Sequence, residues 1–135
     1  MANFLYRIGN KLYKWKIPFI WLLFKFLIRL LSNCAIDPRT KIGKNSFFAY
    51  GGIGTVIHKD SVIGENVIIG PNVVIGGRSN QNPPKILNNV LIGAGAIILG
   101  DIILNNNCKI GAGSVVLNDV GENETWAGVP AKKIK

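Results

Sequence analysis

The stretch Ile86–Val120, ILNNVLIGAGAIILGDIILNNNCKIGAGSVVLNDV, decides the architecture of this 135-residue chain. Within it an aliphatic residue returns at every sixth position: Ile86, Ile92, Ile98, Leu104, Ile110 and Val116. Four places after each stands a small or branched residue, at Val90, Ala96, Ile102, Cys108, Ser114 and Val120. Six is not a helical period, so each hexad reads as a short strand and a turn. The rhythm runs back through Ile75, Ile69, Ile63 and Ile57 to Phe48, Ile42 and Ile36. Three hexads close one triangular coil of 18 residues. Successive coils then stack about 4.8 Å apart by parallel strand pairing, with the aliphatic row filling the prism. Glycine commonly follows that row, at Gly43, Gly64, Gly70, Gly76, Gly93 and Gly111, and is expected to permit the tight corners. Such a stack has open ends that need capping, by the segment before it and the tail after it.

Composition narrows the function. With 48% hydrophobic and 17% charged residues the chain is not disordered. The net charge of +9 is concentrated at the ends. Arg7, Lys11, Lys14, Lys16, Lys25 and Arg29 precede residue 34 with no acidic residue among them, and Lys132, Lys133 and Lys135 crowd the terminus. The middle is close to neutral, so no nucleic-acid groove is expected across the body. Cys34 and Cys108 are too few for a disulfide framework or a zinc site. Both fall in the small-residue slot of their hexads, which makes them packing residues. His58 is the only histidine, so no metal site is expected.

Three segments follow: a basic helical leader over 1–33, the repeat over 34–122 and a tail over 123–135. In the leader, Phe4, Leu5, Ile8 and Leu12 share a helical face, with Arg7, Lys11 and Lys14 opposite. Pro18 suits the first turn of a second helix reaching about Leu31. The longest uncharged run, Ile17 to Phe24, is far short of the roughly 20 residues of a membrane span. Charges within the apolar core and the lack of a cleavage site argue against a secretory signal. Two readings of the leader stand: a cap packed between subunits, or a basic amphipathic anchor on an anionic membrane face.

Two interruptions of the repeat locate the chemistry. Phe48 to Ile57 spans nine residues through AYGGIGTV, and Ile75 to Ile86 spans eleven through GGRSNQNPPK. The first delivers the chain into His58. The second starts at Gly76, which lies one coil from His58, and continues into Gly77. Both loops are expected to meet at the histidine's corner, where glycine leaves room for a ligand. An imidazole there, pointing away from the prism, suits a general base at neutral pH; the plain alternative is a surface histidine with no role. Asp60 is a candidate to orient it. Tyr50, Gly51, Arg78 and Asn80 are candidates to contact an acceptor. Gly93-Ala94-Gly95-Ala96 stacks on Gly111-Ala112-Gly113-Ser114, making a ladder almost free of side chains.

The repeat, with GAGAIILG at Gly93–Gly100, IGAGSVVL at Ile110–Leu117 and AGVPAK at Ala127–Lys132, resembles the hexapeptide-repeat acyltransferases. It looks most like their serine acetyltransferase branch and the relatives that acetylate surface sugars. The resemblance covers Ile36 to Lys135, and residues 5–32 look like the leader of small capsule-type members. It implies a left-handed parallel β-helix of hexapeptide repeats with a short N-terminal α-helical segment. It also implies an acetyl-CoA-dependent O-acetyltransferase, without metal, working as a cytoplasmic homotrimer with sites between subunits. Peripheral contact with the inner membrane face goes with the anchor reading. In such enzymes a histidine, here His58, takes the acceptor's proton as its oxygen attacks the thioester. Pantetheine would lie along Ala94, Gly95 and Ala112 beside Gly76 and Gly77, with Lys109, Lys132 and Lys133 candidates for the CoA phosphates. Serine acetyltransferases carry their base in a DHATG-like stretch, where this chain reads Ala49-Tyr50-Gly51-Gly52. The favoured acceptor is therefore a polysaccharide, nucleotide-linked or lipid-linked sugar, with serine second. A non-catalytic scaffold docking to a membrane or partner is the reading of another class.

Overall fold

In the computed structural model, which describes residues 1–135, two helices precede a parallel β-solenoid. The helices are α1 (Ala2–Lys14) and α2 (Ile20–Ser32). One face of the solenoid holds β1 (Lys41–Ile42), β4 (Val62–Ile63), β7 (Lys85–Ile86) and β10 (Ile103–Leu104). A second holds β2 (Phe47–Phe48), β5 (Ile68–Ile69), β8 (Leu91–Ile92) and β11 (Lys109–Ile110), continued by β13 (Thr125–Gly128) and β14 (Ala131–Lys133). The third holds β3 (Val56–Ile57), β6 (Val74–Gly76), β9 (Ile97–Leu99) and β12 (Val115–Val116). All ladders are parallel except β13 with β14, whose antiparallel hairpin ends the stack.

Register follows the hexads through both interruptions. Ile57 pairs with Ile75 and Ile92 with Ile110. Ile63 still pairs with Ile86 across the eleven-residue gap, because the extra residues leave the coil as a loop. The aliphatic row from Ile57 to Val116 is buried, as are Val67, Val73, Val90, Ala96, Cys108 and Val120 in the second row. Cys34 and Cys108 are buried free thiols, and burial pushes each up to about 11. At neutral pH almost no thiolate exists there, which fits packing and not nucleophilic chemistry.

The glycines after the aliphatic row serve a purpose other than the expected one. The left-handed turn conformation falls two residues later, at Asn45, Asn66, Asn72, Gly95 and Gly113. Gly43, Gly64, Gly70 and Gly93 are needed because the next coil abuts them. A Cβ on Gly43 would stand 2.5 Å from Gly64 backbone, and one on Gly93 would stand 2.6 Å from the Ala112 nitrogen. Asparagine supplies the turn on the corner after the first face, at Asn45, Asn66, Asn89 and Asn107. Its short polar side chain makes the left-handed region accessible and bonds to the next coil. The Asn66 amide donates to Asn89 (3.2 Å), and Asn88 N–H donates to the Asn106 side chain (2.9 Å).

Helix α1 closes the first coil chemically as well as sterically. Arg7 is not on a solvated face: its guanidinium donates to the carbonyls of Ile42, Gly43 and Ser46. Buried Tyr6 donates to the Thr40 carbonyl, and Asn3 both donates to and accepts from the Phe48 backbone. These contacts satisfy edge groups that no preceding coil can reach. Phe4, placed by its spacing on the apolar face, is in fact exposed. Helix α2 starts at Ile20, not Pro18, behind a left-handed Phe19, and is held by a cluster beneath it. Buried Asp37 takes a bidentate pair from Arg39 and an ion pair from Lys25 (3.4 Å), while the Arg39 guanidinium lies 3.8 Å from the Trp21 ring centroid.

Two outcomes follow from this packing. Gly93→Ala is expected to cost about 1–3 kcal/mol in thermal or denaturant unfolding, the range for overpacking a tight site. Gly76→Ala, whose Cβ would meet only Leu99 at 3.7 Å, should be close to neutral. Burial pushes the Asp37 carboxyl up, but the hydrogen bonds and charge of Arg39, helped by Lys25, outweigh it and hold the group below its ordinary value. Its stabilisation is therefore present above the unfolded value of about 3.9 and is lost as pH falls through the lower folded value. Asp37→Asn should flatten the fall in melting temperature between about pH 5 and pH 3 relative to wild type.

Candidate functional site

His58 leaves β3 at the corner between the third and first faces. Its backbone N–H donates to the Ile75 carbonyl (2.8 Å), so it stacks beside Gly76 as the 18-residue coil requires. The imidazole points outward, with its side chain 42% exposed. Nδ1 accepts a hydrogen bond from the Asp60 backbone N–H (3.2 Å). The Asp60 carboxylate stands 4.0 Å away and pairs instead with Lys59 (3.3 Å). Asp60 thus holds the ring through its main chain. A neutral ring accepting at Nδ1 carries its proton on Nε2, so base work at Nε2 requires that one exposed bond to open and the proton to move to Nδ1.

Around the imidazole is a cleft of about 350 Å³ between α2 and the first coil. Lys25 and Arg29 of α2 form one wall, and Cys34 to Asp37 with Ile57 and Lys59 form the other. The leader's part in this wall was missed from sequence. The presence of Lys25 and Arg29 one turn apart was its visible signal.

The two interruptions do not meet at the histidine. The first forms the 3₁₀ turn Ala49–Gly52 at the corner before β3, whereas the second follows β6. They border opposite edges of the third face. Tyr50 is 87% exposed with φ of 52°, and Gly51 beside it has open space where a Cβ would be. In the second loop Gly77 lies close under the Gln81 carbonyl, and Arg78 and Gln81 lean on Gly100, one coil farther from His58. The Asn82 amide reaches Asp101 at 3.5 Å, and Asn80 is exposed. None of these loop residues lines the histidine cleft.

The stacked Gly93–Ala96 and Gly111–Ser114 segments lie on the corner between the second and third faces. Gly113 N–H donates to the Ala94 carbonyl (2.8 Å) and Gly95 N–H to the Pro71 carbonyl (2.9 Å), so those two amides are consumed by coil stacking. The N–H groups of Ala94 and Ala112 make no bond within the chain, and both residues are exposed. This leaves two stacked donors on a surface with only methyl side chains. Lys109 and Lys132 are exposed near the ladder's end of the molecule, while Lys133 is paired with Glu124 (3.2 Å). No cluster of His, Cys, Asp and Glu suited to a metal ion is present.

Comparison with known proteins finds hexapeptide-repeat transferases. The profile "Bacterial transferase hexapeptide (six repeats)" matches residues 83–118, and "Hexapeptide repeat of succinyl-transferase" matches 39–71. A serine acetyltransferase of Synechococcus elongatus is 38% identical over 132 residues, 96% of this chain and 54% of its own length. One of Helicobacter pylori is 36% identical over 132 residues, 96% of this chain and 77% of its own length. Among solved structures, a truncated serine acetyltransferase apoenzyme superposes with a TM-score of 0.90 at 38% identity, over 98% of this chain and 56% of that one. A serine acetyltransferase in complex with coenzyme A from Brucella abortus gives 0.90 at 36% identity, over 98% and 54%. The chain thus spans about half the length of most of these proteins.

Proposed function

The chain belongs to the hexapeptide-repeat acyltransferase family, in its serine acetyltransferase branch, and from that premise we propose that it moves acetyl from acetyl-CoA to the hydroxyl of serine. The observation that carries the transferase reading is the pair of unpartnered amides at Ala94 and Ala112. They offer donors to an extended pantetheine arm on a surface where no side chain obstructs it. The relatives reported above are serine acetyltransferases, and they move serine ahead of the glycan hydroxyl expected from sequence. A sugar hydroxyl stays second, favoured by Ala49-Tyr50-Gly51-Gly52 in place of the serine enzymes' DHATG-like stretch.

In this reading the Asp60 N–H bond to Nδ1 opens and the ring proton moves to Nδ1, after which His58 Nε2 takes the proton of the acceptor hydroxyl as its oxygen bonds to the thioester carbonyl carbon. A backbone N–H holds the developing oxyanion. The carbon–sulfur bond then breaks, and the leaving thiolate takes the proton from the imidazolium, giving the O-acetyl ester and free CoA. Lys109 and Lys132 hold the CoA phosphates. The ladder and His58 occupy different corners of the prism, so a complete site takes one corner from each of two copies. This supports a homotrimer with its sites between subunits. Acetyl-CoA as donor goes with a cytoplasmic reaction.

The test is release of free CoA from acetyl-CoA with serine, sugars and nucleotide sugars, each product checked by mass spectrometry. Wild type should release CoA fastest with serine, and His58→Ala should lower kcat by about 10²–10⁴-fold. Equal rates in the variant would remove His58 from the chemistry. No acceptor-dependent release together with no acetyl-CoA binding would return the chain to a scaffold role.

A further inference from the structure

Helix α2 buries one face and leaves another bare. Phe24, Leu27 and Ile28 pack on the core, while Leu22, Leu23, Phe26 and Leu30 project away from it. Phe26 is 61% and Leu30 65% exposed, values typical of polar surface residues. Phe19 (76%) and Trp15 (63%) extend the row into the connection between the helices. The apolar positions 22, 23, 26 and 30 follow helical spacing, so they form one stripe and not scattered contacts. A continuous stripe of this kind marks an interaction surface.

The charges around it identify the occupant. Arg29 follows the stripe's edge on α2, while Lys14 ends α1 and Lys16 stands in the connection; none of the three takes part in an ion pair, unlike Lys25, which is tied to Asp37. No acidic residue occurs before Asp37. Two copies of this face brought together would oppose like-charged rims. An apolar stripe on a leader whose charged residues are all cationic is complementary to an anionic bilayer, where the apolar side chains enter the acyl boundary and the cations meet headgroup phosphates. Trp15, Phe19 and Phe26 are of the types that settle at that boundary. No helix is long and apolar enough to cross a membrane, so the geometry is that of a helix lying in the surface.

We propose that the outer face of α2, with the Trp15–Phe19 connection, docks the protein onto anionic lipid bilayers. The helix edge bearing Lys25 and Arg29 also walls the His58 cleft, so docking sets that cleft at headgroup level. Docking does not depend on the acetyl-transfer reading and is measured without activity.

The experiment is flotation of the full chain with phosphatidylcholine vesicles, with or without about one-third phosphatidylglycerol. Sedimentation of the same samples without lipid accompanies it. Wild type should float with the anionic vesicles only, and raised salt should weaken the binding. Leu23→Gln/Phe26→Gln/Leu30→Gln keeps helix-forming residues and should lower binding at least about tenfold. Lys14→Glu/Lys16→Glu leaves α2 itself intact and should lower it by a similar factor. Three results would overturn the proposal: no flotation of wild type, equal flotation without phosphatidylglycerol, or unchanged flotation of the glutamine variant. A shift of the glutamine variant to a smaller species in sedimentation, with flotation unchanged, would assign the stripe to contacts between copies.

Discussion

Backbone from one coil lies against backbone of the next at the glycines, and everything else in the solenoid depends on that approach. At Gly43, Gly64, Gly70 and Gly93 the space for a Cβ is filled by the neighbouring coil. Because no Cβ holds the coils apart there, the strands pair in register and the aliphatic row stacks coil on coil. The small-residue row completes the prism, since buried methyl and methylene groups from successive coils fill each other's gaps. Loops can be added without disturbing the stack, as the undisturbed Ile63–Ile86 pairing shows. The ends are the exposed weakness of such an architecture. Arg7, Tyr6 and Asn3 of α1 answer it at one end with hydrogen bonds to carbonyls and amides of the first coil.

The same stacking organises the chemistry by corner. One corner carries methyl side chains and two unspent amides, Ala94 and Ala112. Another carries His58 and, farther along the stack, the long loop from Gly77 to Pro84. The third is an asparagine ladder consumed by its own hydrogen bonds. A prism face separates donor surface from imidazole within one chain. In the proposed reading, apposition of two prisms would bring unlike corners together and complete the set of groups.

Much of this was legible in the sequence because a six-residue period admits few structures. The buried rows, the coil of 18 residues, the stacking of His58 beside Gly76 and the packing role of both cysteines all follow from spacing. What spacing does not carry is direction. It gave no indication that the loop after Gly76 would lean toward Gly100, or that Arg7 would turn inward to cap carbonyls. The glycines were identified correctly but for the wrong reason, since close approach is a property of two coils and not of one corner. The asparagines at 45, 66, 89 and 107 were visible in every register and passed over, because asparagine also occurs in ordinary loops. Nor does a lone histidine disclose its tautomer, which depends here on the Asp60 amide.

The central claim, that donor surface and base come from different copies, is tested most directly by mixing two inactive variants. His58→Ala retains the ladder, and Ala112→Glu retains the histidine while blocking the groove. Co-expressed, the pair should recover a substantial fraction of wild-type CoA release, because some interfaces then combine an intact ladder with an intact His58. No recovery from a verified mixed oligomer would place both groups of each working site in one chain and contradict the account.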